Sequence, residues 1–222
     1  MLASPRHLRW GLFALAGLLL ALVLPRALDA SLVIPERADE YRRFDYPLPT
    51  RFVVGERCTL SDAWNRAAVE ADGDVLMLAA DDIRFRTPTW DILVEGSLGG
   101  LFPDGIGLVY GRDGHADRRM ATMPFVTSRW VEVVGRFTAP YFVADYCDLW
   151  LHDVAERVGR AVFLPGLLIE HMHPSFGKGE WDVTHEERLE RARRADLPTL
   201  WESTEWERAS EAERLLAAIG AA

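Results

Sequence analysis

The chain has 222 residues, 49% of them hydrophobic and 27% charged, with a formal net charge of −9. That length suits one sizeable core and cramps a second full domain, while the composition excludes general disorder. The acidic balance excludes a broad nucleic-acid-binding face, and two distant cysteines, Cys58 and Cys147, make neither a zinc site nor a disulfide-built secreted scaffold, so a cytoplasmic setting is expected.

Residues Trp10 to Leu24 are almost wholly apolar, with Arg6 and Arg9 before them and Pro25 and Arg26 after. The pattern has the basic start and apolar middle of a signal peptide or signal anchor. The run is shorter than the roughly 20 residues of a comfortable bilayer span, and a buried helix explains it equally well. Residues 1–30 are therefore expected to be an apolar helix, either the opening β-α unit of the fold or a membrane anchor.

Ala30 to Pro35 is predicted as a short buried strand and Arg51 to Val54 as another, ending at Gly55. Thr59 or Ser61 caps a predicted helix with Trp64, Ala67, Ala68 and Ala71 at helical spacing, closed by Gly73. Asp74 to Ala80 is a continuous apolar run after its first residue, the mark of a strand buried on both faces. A helix after Pro88 turns Trp90, Leu93 and Val94 inward, and Ile106 to Tyr110 forms another strand. From about Asp145 to Arg160 a longer helix places Cys147, Trp150, Leu151, Val154 and Val158 on one face. Ala161 to Ile169 is largely apolar, broken at Pro165-Gly166, and the charged tail 184–222 is helical with a narrow stripe of Trp206, Ala209, Leu216 and Ile219. Strands alternating with helices predict an α/β sandwich around a mostly parallel sheet, with residues 31–183 as its domain.

Ligands of open α/β sheets bind beyond the carboxyl ends of the strands, where Asp81 and Asp82 follow the most hydrophobic strand of the chain. Two adjacent carboxylates there can hold Mg²⁺ or Mn²⁺, which neutralises charge on a departing diphosphate. The competing reading is a turn or helix cap. His171 and His173 lie two apart in an extended segment, so both face one side, as ligands or as hydrogen-bonded structural groups. Lys178 is a candidate point charge for phosphate or a solvated loop residue.

Ala63-Trp64-Asn65, Ala71-Asp72-Gly73-Asp74, the apolar strand, Asp81-Asp82 and Trp90-Asp91, in that order, resemble the donor half of family 2 glycosyltransferases. The likeness is strongest to compact glycosyltransferases of bacteriophages and actinobacteria, and Glu170-His171-Met172-His173-Pro174 with Gly177-Lys178 and Trp181-Asp182 is similar to their carboxyl-terminal signature. The resemblance implies a GT-A-like (Rossmann-like) fold with a nucleotide-diphosphate sugar as donor. It implies a metal site at Asp81, Asp82, His171 and His173, with Asn65, Glu36, Asp39 and Lys178 on the nucleotide side. A general base is implied at the start of the helix after Tyr141, with Asp148 favoured over Asp145, which is also placed to cap that helix. The family's usual Glu-Asp pair is absent there. An opening strand at Met1 to Ser4, a loop at Pro5 to Arg9 and a helix from Trp10 would make an abbreviated first β-α unit, and residues 10–24 leave membrane association open.

Three functions compete. The first is a metal-dependent glycosyltransferase, expected to invert by single displacement, whose acceptor is a glycan, a protein or a modified base. The second is a non-catalytic sugar- or nucleotide-binding domain derived from one. A nucleotidyltransferase is the third, but Met1 to Arg9 holds no glycine- and lysine-rich phosphate loop.

Overall fold

The computed structural model describes residues 10–14, 28–34, 50–54, 58–80, 82–143, 145–181 and 183–221. In chain order they form strands β1 (Trp10–Ala14), β2 (Leu28–Ile34) and β3 (Thr50–Val54), helix α1 (Leu60–Glu70), and strands β4 (Val75–Leu78) and β5 (Ile83–Phe85). Helix α2 (Trp90–Leu101), strands β6 (Leu108–Arg112) and β7 (Phe125–Thr127), and helices α3 (Ser128–Val134) and α4 (Cys147–Arg157) follow. Strand β8 (Ala161–His171) and helices α5 (Val183–Arg194), α6 (Leu197–Ser203) and α7 (Glu205–Gly220) complete the order.

The strands make an 8-stranded sheet in the order β3-β2-β1-β4-β7-β6-β8-β5. Strands β3, β2, β1 and β4 are parallel neighbours. The sheet as a whole is mixed, which corrects the mostly parallel expectation. Strand β7 runs antiparallel to both β4 and β6, and β5 antiparallel to β8. Both are 3 residues long, too short to show an alternating pattern in the sequence.

Strand β4 divides the core. Leu76 and Leu78 point into one cluster with Trp64, Leu108, Val126, Trp130 and Trp150, while Val75 and Met77 point into a second with Trp90, Val94, Phe102 and Phe125. That two-residue alternation across a fully apolar strand is what burial on both faces requires. Trp90 and Val94 of α2 are buried as expected, but Leu93 is exposed.

The expected helix from Trp10 is corrected as well: Trp10–Ala14 is a strand, pairing with β2 on one side and β4 on the other. A strand in the middle of a parallel sheet reads as an uninterrupted apolar run, so periodicity cannot separate it from a buried helix. The proposed opening strand at Met1 to Ser4 lies outside the described residues. No helix among the described residues is long and apolar enough to cross a membrane.

The break at Pro165-Gly166 is an irregularity inside one strand. Tyr110 pairs with Phe163 but Arg112 pairs with Leu168, so β8 carries extra residues between the two pairings. Gly111 makes room for the bend, because a Cβ there would stand 2.6 Å from the Leu167 carbonyl oxygen. The bulge re-aims β8, and its last residues, Ile169 to His171, pair with β5 instead.

The tail docks through buried charged residues as well as apolar ones, and of the expected stripe Ile219 packs partly against the core. Trp206 and Leu216 are exposed, whereas Arg208, Glu211, Ala212 and Leu215 are buried. Arg208 lies 3.6 Å over the Trp201 ring and bonds Asp153 and Glu205, while Glu211 accepts from Trp150 Nε1 at 2.7 Å and from Arg136. The indoles of Trp150 and Trp201 offer a donor and a π face that aliphatic packing would not use, so Arg208 and Glu211 are buried beside Ala212 and Leu215.

Candidate functional site

Asp82 ends the segment after β4 and leads directly into β5. Antiparallel pairing of β5 with β8 sets Ile83 opposite His171, and the Met172 N–H donates to the Asp82 carbonyl at 2.6 Å. This pairing unites the two sequence motifs. The carboxylate of Asp82 lies 3.1 Å from His171 Nε2. Burial pushes the Asp82 pKa up, but the hydrogen bond from His171 and the charges of His171 and His173 outweigh it and hold the carboxyl below its ordinary value.

Asp82, His173 and His185 each bring a ligand atom to a common point, all within 4.8 Å of one another. One carboxylate and two imidazoles at that separation fit a divalent cation with open positions left over. Such a mixed oxygen and nitrogen set suits Mn²⁺ better than Mg²⁺, which prefers oxygen alone. Burial and the nearby Arg188 guanidinium lower the His173 pKa, which favours the neutral ring a metal needs.

His173 Nδ1 accepts from the Ser175 N–H at 3.1 Å, and its Nε2 lies 3.4 Å from Arg188 Nη2. The two contacts demand opposite tautomers of a neutral ring, so only one nitrogen is bare at a time. A cation on Nε2 requires the proton on Nδ1 and displaces the Arg188 contact. Arg188 also forms an ion pair with Asp145. His185 and Arg188 lie one turn apart on α5 and so share a face. Neither was singled out in the sequence, because both sit in a helix that reads as a solvated charged segment. A histidine three residues before an arginine, soon after the His171-Met172-His173 segment, was the available signal.

On the other side of the site, α4 begins at Cys147 with Tyr146 in a left-handed conformation as its N-cap, so Asp145 does not cap it. Asp148 lies in the first turn and accepts from the Leu149 N–H at 2.8 Å. Burial is the main cause that pushes its pKa up to about 6; the Leu149 N–H opposes this and the Asp145 charge adds to it. His171 acts electrostatically on both Asp148 and Asp82.

Other expected site residues have different work. Asn65 Oδ1 accepts from the N–H groups of Phe137 and Thr138, each at 2.9 Å, and its Nδ2 donates to the Thr138 carbonyl at 2.8 Å. Its carboxamide is engaged by backbone and fixes the loop that leads to α4. Ser61 anchors the same loop by donating to the Phe142 carbonyl, while Thr59 is the residue that caps α1. Lys178 pairs with Glu170 at 3.0 Å, which also binds Arg86. His171 bonds Asp82 and is not among the three convergent ligands. Asp81, Glu36, Asp39 and Asp182 lie outside the described residues.

No family model matches the chain, and no curated protein matches it. Among solved structures it is similar to a mycobacterial protein, with 13% identity over 80% of this chain and 69% of that one, at a TM-score of 0.50. It is similar also to the mannosyltransferase PcManGT from Pyrobaculum calidifontis in complex with GDP-Man and Mn²⁺, with 17% identity over 87% of this chain and 66% of that one and a TM-score of 0.48. Glucosyl-3-phosphoglycerate synthase from Mycobacterium tuberculosis in complex with Mn²⁺, UDP-Glc and phosphoglyceric acid matches at 12% identity, 86% of this chain, 68% of that one and a TM-score of 0.46. The chain thus spans about two thirds of the length of these structures. At such identities the likeness is one of fold.

Proposed function

We propose that the chain is a glycosyltransferase that moves a sugar from a nucleotide-diphosphate donor to an acceptor hydroxyl, with Mn²⁺ held by Asp82, His173 and His185. The observation that carries this reading is the convergence of those three ligand atoms just beyond the central strand β4. The motif order that resembles family 2 glycosyltransferases supports it, as does the position of the site beyond the carboxyl end of a parallel strand.

The bound cation would supply positive charge against the leaving diphosphate. Arg188 would give the donor phosphates a second, hydrogen-bonding cation once its contact with His173 is released. Asp148 would take the proton of the acceptor hydroxyl as that oxygen attacks the anomeric carbon from the face opposite the diphosphate, which inverts the configuration in one displacement. A carboxyl with a pKa of about 6 is mostly ionised at neutral pH yet more basic than an exposed aspartate, which suits a general base. Asp145, engaged by Arg188, is the weaker candidate.

Donor turnover tests the assignment. With Mn²⁺ and a panel of UDP-, GDP- and dTDP-sugars, the wild type should release nucleoside diphosphate. Asp148→Asn should retain donor binding and lose turnover by about a hundredfold or more. Binding without turnover in the wild type would favour a non-catalytic domain, and full turnover in Asp148→Asn would reject that residue as the base.

A further inference from the structure

The segment between β8 and α5 brings two large aromatic side chains to the site, Phe176 and Trp181, and Trp181 is the more exposed of the two. Trp181 is 52% exposed, although its ring contacts two of the three cation ligands. It packs edge to face with His173, centroids 6.1 Å apart, and with His185, centroids 5.4 Å apart. An indole held against two imidazoles but left half open gains little for folding from its exposed surface. The same surface is suited to stacking against an apolar ring face.

The position selects among ring-shaped ligands. In a nucleotide sugar, a ribose separates the base from the diphosphate, so the base sits away from the cation. The ribose and the transferred sugar flank the diphosphate directly, and the attacking acceptor meets the transferred sugar on its far face. A ring in contact with His173 and His185 therefore meets a sugar. Arg188, one turn along α5 from His185, pairs with Asp145 and so ties this face to the loop before α4, where Asp148 lies. That is the acceptor side.

We infer that Trp181 is a stacking platform for a pyranose ring of the acceptor, which makes the acceptor a glycoside in preference to a protein side chain or a nucleobase. This inference rests on the cation and diphosphate reading of the site. It assigns Trp181 to substrate binding and leaves the proton transfer to Asp148.

The test uses the full chain loaded with Mn²⁺ and whichever of UDP, GDP or dTDP binds most tightly. Methyl pyranosides of glucose, mannose and galactose are then titrated in, followed by saturation-transfer NMR. At least one pyranoside should bind the wild type, and Trp181→Ala should weaken it by about tenfold or more. Trp181→Phe should keep most of that affinity, and nucleotide affinity should stay within about threefold of wild type in both variants. Equal pyranoside binding in Trp181→Ala would overturn the inference. So would the absence of pyranoside binding by nucleotide-loaded protein, or an equal loss of nucleotide affinity in Trp181→Ala. Failure of the wild type to bind any nucleotide with Mn²⁺ would instead overturn the reading of the site beneath it.

Discussion

The chemistry of the site turns on two carboxylates that the fold drives in opposite directions. Asp82 is held ionised by His171 and His173, as a cation ligand should be, while burial raises Asp148 to about 6. Since a base must be deprotonated, donor turnover should rise with pH through about 6 and level off above it, measured as kcat/KM against pH. The same shift has a cost for stability. A carboxyl whose folded pKa lies above its unfolded value near 3.9 keeps its proton longer in the folded state, so its contribution falls as pH climbs from about 4 to about 6. Asp148→Asn should thus be more stable than wild type at pH 7, by up to about 3 kcal/mol in urea unfolding, and lose that advantage near pH 4. Mn²⁺ affinity should move with His173. It should weaken as pH drops to where that ring takes a proton, which burial and Arg188 place below the range of an ordinary histidine. A titration by calorimetry at several pH values checks the direction.

Elements far from Asp82 hold the start of α4, and with it Asp148, the proposed base, in place. Asn65 on α1 clamps the Phe137–Thr138 backbone, and Glu211 on α7 holds the Trp150 indole one turn or less from Asp148 on α4. Asn65→Ala leaves two N–H groups and a carbonyl without their partner and should cost about 1–3 kcal/mol of stability. Glu211→Ala takes the nearer carboxylate from the half-buried Arg136 and leaves the buried indole N–H unpaired, for a loss of about 3 kcal/mol. Thermal or urea melts give both numbers. At this scale the sequence was partly legible. The helix bearing Asn65 and the buried strand β4 follow from apolar spacing and capping residues. The docking face of α7 does not, because a buried Arg208 and Glu211 are recognisable only from the tryptophans they meet.

Across the whole molecule, the sheet decides which distant residues become neighbours. The parallel half was legible at β2, β3 and β4 as short apolar runs. Strand β1 was hidden inside Trp10 to Leu24, since a two-sided strand and a buried helix share one hydrophobic pattern. Strand β5 is too short to announce itself, yet its pairing with β8 is what carries Asp82 to the histidines. The sequence thus displayed Asp82 and His173 as separate motifs, and only the register joined them to His185 and Arg188. That union is the central claim, and calorimetric titration of UDP, GDP and dTDP with and without Mn²⁺ tests it most directly. At least one nucleotide should bind the wild type only with Mn²⁺, and Asp82→Asn, His173→Ala and His185→Ala should each weaken that binding by about tenfold or more. Binding that ignores both Mn²⁺ and these three substitutions would contradict it.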